Sequence, residues 1–154
     1  MYRKELTMLE LLIRQEVAVK RLYETFAFMF PDCAEFWSRL AAEEQSHADM
    51  LAKLRNKPEI ETWLIDEMQL QPEMVRKTIA YVDQKREQAV ADDITLEQAF
   101  SLAENIEKFL GDGVFIKLED KPLLNTPMAL LTLASETRKH VELVTKKQRQ
   151  LFYK

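Results

Sequence analysis

A single cysteine, Cys33, in 154 residues excludes a disulfide framework and any four-cysteine metal centre within the chain. Glycine occurs twice and proline five times, too few turn formers for a sheet with its hairpins, while plentiful Leu, Ala, Glu, Lys, Gln and Met favour helix. Apolar runs are short as well. Glu10 and Arg14 interrupt the segment from Leu6 to Ile13, so it does not read as a secretory signal, and nothing approaches the roughly 20 apolar residues of a membrane span. A formal net charge of −4 leaves no basic surplus for nucleic acid. Lys139, Lys146, Lys147, Arg149 and Lys154 read as cations offsetting a helix dipole. With 47% hydrophobic residues the length suits one buried domain, residues 1–154. The expectation is an all-α, cytoplasmic protein with no membrane or nucleic-acid partner.

Helical periodicity predicts four long helices. From about Glu5 to Phe30, the stripe is Leu6, Leu9, Leu12/Ile13, Val19, Tyr23, Phe26/Ala27 and Phe30, with Glu16 set inside it. Pro31 ends that helix, and Asp32 with Glu35 offers a capping-box start for a second. Its inner face is Phe36/Trp37, Leu40, Glu44, His47, Leu51 and Leu54, before Asn56-Lys57-Pro58 stops it. Between Pro58 and Thr95 lies a long connection with an accessory helix opening at Pro72, through Met74, Ile79, Val82 and Val90. The third helix runs from Thr95 to about Glu119 through Leu96, Phe100, Ala103, Glu107, Leu110, Val114 and Leu118, with Gly111-Asp112-Gly113 a weak point and Lys121-Pro122 the stop. Thr126-Pro127 reads as a cap and first-turn proline for the fourth, which carries Leu130/Leu131, Ala134, Thr137, His140, Leu143/Val144 and Leu151. Four long helices with one long central connection suit a crossover bundle whose outer hairpins are helices one with two and three with four.

The chemistry concentrates in Leu40-Ala41-Ala42-Glu43-Glu44-Gln45-Ser46-His47-Ala48. Residues three apart are neighbours on a helix face, so Glu44 and His47 can reach one metal ion. Leu40 and Ala48 flank Glu44, and Met50 and Leu51 follow His47, which puts the pair on the apolar side, where an uncompensated carboxylate is costly. Glu16 lies among Leu12, Ile13 and Val19; it either points inward or pairs at the surface with Lys20. Glu104 has the same choice with Lys108, whereas Glu107, beside Ala103, Leu110 and Gly111, has none. His140 sits over Leu143 and Val144 with Glu136 one turn before it. The chain has only two histidines, each on an inner face three or four residues after a glutamate. Carboxylates with one imidazole per helix pair suit iron or manganese, with zinc a further candidate. The Phe26-Ala27-Phe28-Met29-Phe30 run, Trp37 and Trp63 read as packing.

These residues resemble the ferritin-like di-iron carboxylate proteins, and within them the rubrerythrin-like branch. That family places a Glu on each of two helices and Glu-x-x-His on each of the other two, together holding two metals. Glu16 followed by Tyr23, then the Glu44/His47 stretch, is similar to the rubrerythrin pattern in residue type, spacing and order. Glu104 or Glu107 resembles the third-helix carboxylate. Two departures stand out: Cys33 alone cannot supply a rubredoxin-type domain, and Thr137 occupies the place three before His140 where the family has Glu, with Glu136 one residue out of place.

The resemblance implies a ferritin-like four-helix bundle, a homodimer, holding two iron ions through Glu16, Glu44, His47, Glu104 or Glu107, Glu136 and His140, with Tyr23 close to the reaction. It further implies an oxidoreductase of peroxidase or ferroxidase type, acting on peroxide or dioxygen with an external electron donor. The rival reading is a non-catalytic ferritin-like module whose degenerate metal site leaves it to act by binding a partner.

Overall fold

In the computed structural model, residues 6–110 and 127–153 are described. Gly111-Asp112-Gly113, the helical reading through Val114 and Leu118, the Lys121-Pro122 stop and the Thr126 cap lie outside them. The described residues form helices and turns with no strand, so the fold class is all-α. Among them no helix is long and apolar enough to cross a membrane. The chain divides into two compact units, Met1–Arg86 and Glu87–Lys154.

The first unit is built on α1 (Met8–Met29) and α2 (Ala34–Ala52), with α3 (Pro58–Asp66) and most of α4 (Pro72–Ala91) following. Thr7 caps α1 by accepting the Glu10 N–H at 3.1 Å, and the Glu61 carboxylate of α3 accepts those of Met8 and Leu9 at 2.6 and 3.2 Å. The N–H groups of the first turn are thereby satisfied, two of them by a negative charge placed where the helix dipole favours it. A turn from Pro31 to Cys33 reverses the chain. Here the capping box is not formed: Pro31 starts a 3₁₀ turn that absorbs Asp32, and Cys33 becomes the N-cap of α2 with no side-chain bond. Pro58 likewise does more than stop α2. It occupies the first turn of α3, with Glu59 and Glu61 beside it, a helix start not expected within the connection.

Antiparallel packing of α1 and α2 follows from the contacts along their length. Tyr23 and Phe26, late in α1, meet Trp37, early in α2, at ring separations of 5.7 and 5.0 Å, while Lys20 reaches Gln45 near the other end. Tyr23, Phe26 and Trp37 are fully buried. Phe28 is 87% exposed, so the aromatic run does not pack as a block: residues two apart on a helix lie on nearly opposite faces. In α4 the inward face is Val75, Thr78, Val82 and Ala89; Val82 is buried as expected, while Met74 and Val90 are exposed, one position away from the buried Val75 and Ala89. Thr78 is tolerated there because its hydroxyl donates to the Met74 carbonyl at 3.0 Å.

The second unit pairs α5 (Leu96–Leu110) with α6 (Met128–Phe152). At the start of α5, Thr95 and Gln98 exchange bonds, Thr95 N–H to Gln98 Oε1 at 2.8 Å and Gln98 N–H to Thr95 Oγ1 at 3.1 Å, a reciprocal capping box. Phe100 meets Phe152 at 6.0 Å while Glu107 faces His140, so this pair is antiparallel too. Its core is Ala99, Phe100, Ala103, Ile106 and Leu110 against Leu130, Leu133, Ala134 and Val144. Pro127 is the N-cap of α6 rather than its first helical residue.

Candidate metal centre

In the first unit three ionisable side chains meet inside the hairpin. Glu16 from α1 and Glu44 and His47 from α2 are exposed by 4%, 2% and 1%. Glu16 does not take the surface pairing with Lys20, which instead donates to Gln45 at 2.8 Å and lies 3.7 Å from Glu24. The His47 Nδ1 atom lies 3.7 Å from a Glu16 oxygen and 3.6 Å from a Glu44 oxygen. Those separations are longer than a good N–H···O bond. They fit ligands of a common ion: two atoms each about 2.1 Å from a first-row metal lie about 3.0 Å apart at a right angle and about 4.2 Å apart when opposite.

Burial pushes the Glu16 carboxyl up to about 8 from 4.5, with the neighbouring Glu44 carboxylate acting in the same direction and His47 opposing. For His47, burial works downward, but the contacts with Glu16 and Glu44 outweigh it and raise the imidazole to about 10 from 6.5. A protonated Glu16 cannot also serve His47 as an anion. Without a metal the cluster therefore holds extra protons, and a bound divalent cation would displace them.

The second unit repeats the pattern with fewer donors. Glu107 on α5 is 1% exposed, His140 on α6 is 3% exposed, and Glu107 Oε1 lies 3.6 Å from His140 Nδ1. Each hairpin thus sets a glutamate from its first helix against a histidine from its second at nearly the same distance. Thr137, three before His140 as Glu44 is three before His47, is buried, and its hydroxyl donates to the Leu133 carbonyl at 2.8 Å. Glu104 is half-buried and bound to Lys108 at 2.6 Å. Glu136 is half-buried. Tyr23 lies two turns beyond Glu16 on α1, stacked on Trp37.

Glu44, His47 and His140 each offer a buried ligand atom suited to a metal. The donors of both units are carboxylate oxygens and imidazole nitrogens, the set that accepts iron or manganese and also zinc. Sequence reasoning did not single out Gln148, buried at 7% with its amide 3.4 Å from the Ser101 hydroxyl. Its signal was present in the spacing, since it continues the His140 and Val144 face by one further turn. Nor did it foresee Lys20 bonding to Gln45, a contact between helices that no single-helix pattern reveals. No family model, no curated protein and no solved structure matches this chain.

Proposed function

We propose that this is a ferritin-like, rubrerythrin-like metal-binding protein in which iron supports reduction of peroxide or dioxygen or the oxidation of further iron. The observation carrying this reading is the buried trio Glu16, Glu44 and His47, with carboxylate oxygens 3.6 and 3.7 Å from an imidazole nitrogen, and its partial repeat at Glu107 and His140. Two carboxylates buried side by side are costly for folding alone. A divalent cation turns that cost into binding energy.

In this reading each hairpin supplies a half-site, and the chain holds two ions. Glu16, Glu44 and Glu107 would contribute negative charge, Glu16 giving up its proton on loading, while His47 and His140 would each supply a neutral nitrogen. Bound ferrous iron would supply electrons to peroxide or dioxygen, an external donor restoring them. Tyr23, fully buried against Trp37, would in this reading be the residue close to the reaction. We assign the protein to the cytoplasm as a homodimer.

The test is consumption of hydrogen peroxide or dioxygen by the ferrous-loaded, full-length chain. Consumption in proportion to bound iron, lost in Glu44→Ala, supports an enzyme; iron binding without consumption supports the second reading, a non-catalytic module with a degenerate site. That alternative is favoured by one feature, the Thr137 hydroxyl committed to the Leu133 carbonyl where a ligating glutamate would complete the second unit.

A further inference from the structure

The buried trio of the first unit lies beneath one edge of its hairpin. At about 100° of rotation per residue, Leu12, Val19 and Leu22 fall on one flank of Glu16, and Lys20 and Glu24 on the other. The first three are exposed by at most 1%, so that flank is interior. The Lys20 and Glu24 side chains are 30% and 55% exposed. On α2, Gln45 follows Glu44 by the same rotation of about 100°, half-buried, with the exposed Asp49 one turn beyond it. The two edges are tied together. Lys20 Nζ donates to Gln45 Oε1 at 2.8 Å, and Gln45 Nε2 donates to Asp49 Oδ1 at 2.8 Å. The ammonium thus crosses the seam between α1 and α2 from the turn after Glu16 to the residue after Glu44, and Glu24 lies 3.7 Å from it as a second partner.

We propose that Lys20 is a strap across the entrance to this site, and that its exchange between Gln45 and Glu24 sets how fast a divalent cation enters and leaves. This rests on the metal-binding reading above and adds the control of access. Glu16, Glu44 and His47 are exposed by 4%, 2% and 1%, so an aquated ion has to part the side chains over them. Along the polar edge it meets a fixed positive charge first, which repels it. Letting go of Gln45 does not strand that charge, because the Glu24 carboxylate already stands 3.7 Å away. A hydrogen bond from a charged donor holds the strap closed, and its loss should speed opening by about 10–100-fold. Lys20 and Gln45 are positioning residues in this scheme. Neither is a ligand, so the strap governs rates and leaves the strength of binding to the trio.

The experiment compares the full-length native chain with Gln45→Leu and Lys20→Met, using ferrous iron under anaerobic conditions. Loading is followed by stopped-flow tryptophan fluorescence, release by the colour of a ferrous chelator, and affinity by calorimetry. Gln45→Leu keeps the lysine charge and should speed loading and release together by about 10–100-fold, with Kd unchanged within about threefold. In Lys20→Met, loss of a positive charge by itself would speed loading but slow release, so faster release there reports the strap and not the charge. That variant decides the matter if circular dichroism shows that Gln45→Leu does not fold. Unaltered rates in the folded variants, or slower release from Lys20→Met, overturn the inference and leave the metal-binding reading intact. So does a Gln45→Leu protein whose Kd rises in step with its release rate, the mark of a residue that supports a ligand. A native chain that binds no ferrous iron overturns both readings.

Discussion

Replacing Glu16 by glutamine should make the metal-free protein more stable and the metal-bound protein less so. The carboxyl of Glu16 is raised to about 8 in the fold from 4.5, chiefly by burial. A carboxyl with a raised folded value binds its proton more tightly folded than unfolded, so the stability of the native chain falls as pH climbs from about 4.5 toward about 8. Holding that proton at pH 7 costs about 1.4 kcal/mol for each pH unit above the unfolded value, on the order of 2–3 kcal/mol once the burial of the replacement amide is set against it. For a chain of this size that is a rise in Tm of roughly 5–10 °C at neutral pH in the presence of chelator. At pH 4 the gain should vanish, because the carboxyl is then protonated in both states. With metal the ranking reverses: a hundredfold excess over Kd stabilises the native protein by about 2.7 kcal/mol, and Glu16→Gln forfeits most of that. Differential scanning calorimetry at pH 4, 7 and 8, with chelator and with ferrous iron, measures all of these terms. A Glu16→Gln protein that is less stable without metal at pH 7, yet gains as much from metal as the native chain, would refute this reasoning.

Other expectations concern neighbouring parts of the fold. Against burial, which lowers it, the Glu16 and Glu44 side chains raise His47 to about 10 from 6.5, so the stabilisation this brings to the metal-free fold is present below about pH 6.5 and lost as pH rises through about 10; His47→Gln should flatten the upper part of that pH profile, as read by denaturant midpoints. Glu61→Ala removes the acceptor of the Met8 and Leu9 N–H groups and should cost about 1–2 kcal/mol, seen as faster hydrogen exchange confined to the first turn of α1. Trp37→Ala empties the space between Tyr23, Phe26 and Phe36 and should cost about 3–5 kcal/mol in urea unfolding. Tyr23→Phe keeps that packing, so metal content should be unchanged; under the proposed function the rate or product of peroxide consumption should change.

Much of this was legible in the chain because a helix exposes its environment through spacing. Glu44 and His47, three apart and flanked by Leu40, Ala48 and Leu51, could hardly face solvent without turning those side chains out with them, and the structure buries both. Spacing alone left Glu16 and Glu104 open, since each has a lysine four residues on. The structure separates them: Lys20 is drawn across to Gln45, leaving Glu16 inside, whereas Lys108 pairs with Glu104 along its own helix and leaves it half-buried. Asp32 carried the right chemistry for a cap, but Pro31 committed the chain to a 3₁₀ turn first. Pro58 was ambiguous because proline both ends a helix and begins one, and its second role required weighing Glu59 and Glu61 as first-turn acids. In α4 Val82 is buried as expected, but Met74 and Val90 give way to Val75 and Ala89, and Thr78, polar by type, becomes an interior residue by bonding to its own helix. Stability and function also separate here: Trp37 and Phe26 could be read as core from composition, while the value of a buried glutamate depends on what faces it.

The central claim is that Glu44 and His47 hold a metal ion, and metal analysis of the full-length protein purified without chelator tests it most directly. Iron or manganese should accompany the unmodified chain and be lost from Glu44→Ala and from His47→Ala, with each variant shown by circular dichroism to remain helical. Unmodified protein that stays metal-free after exposure to ferrous iron, or metal content unchanged in both variants, would contradict the account.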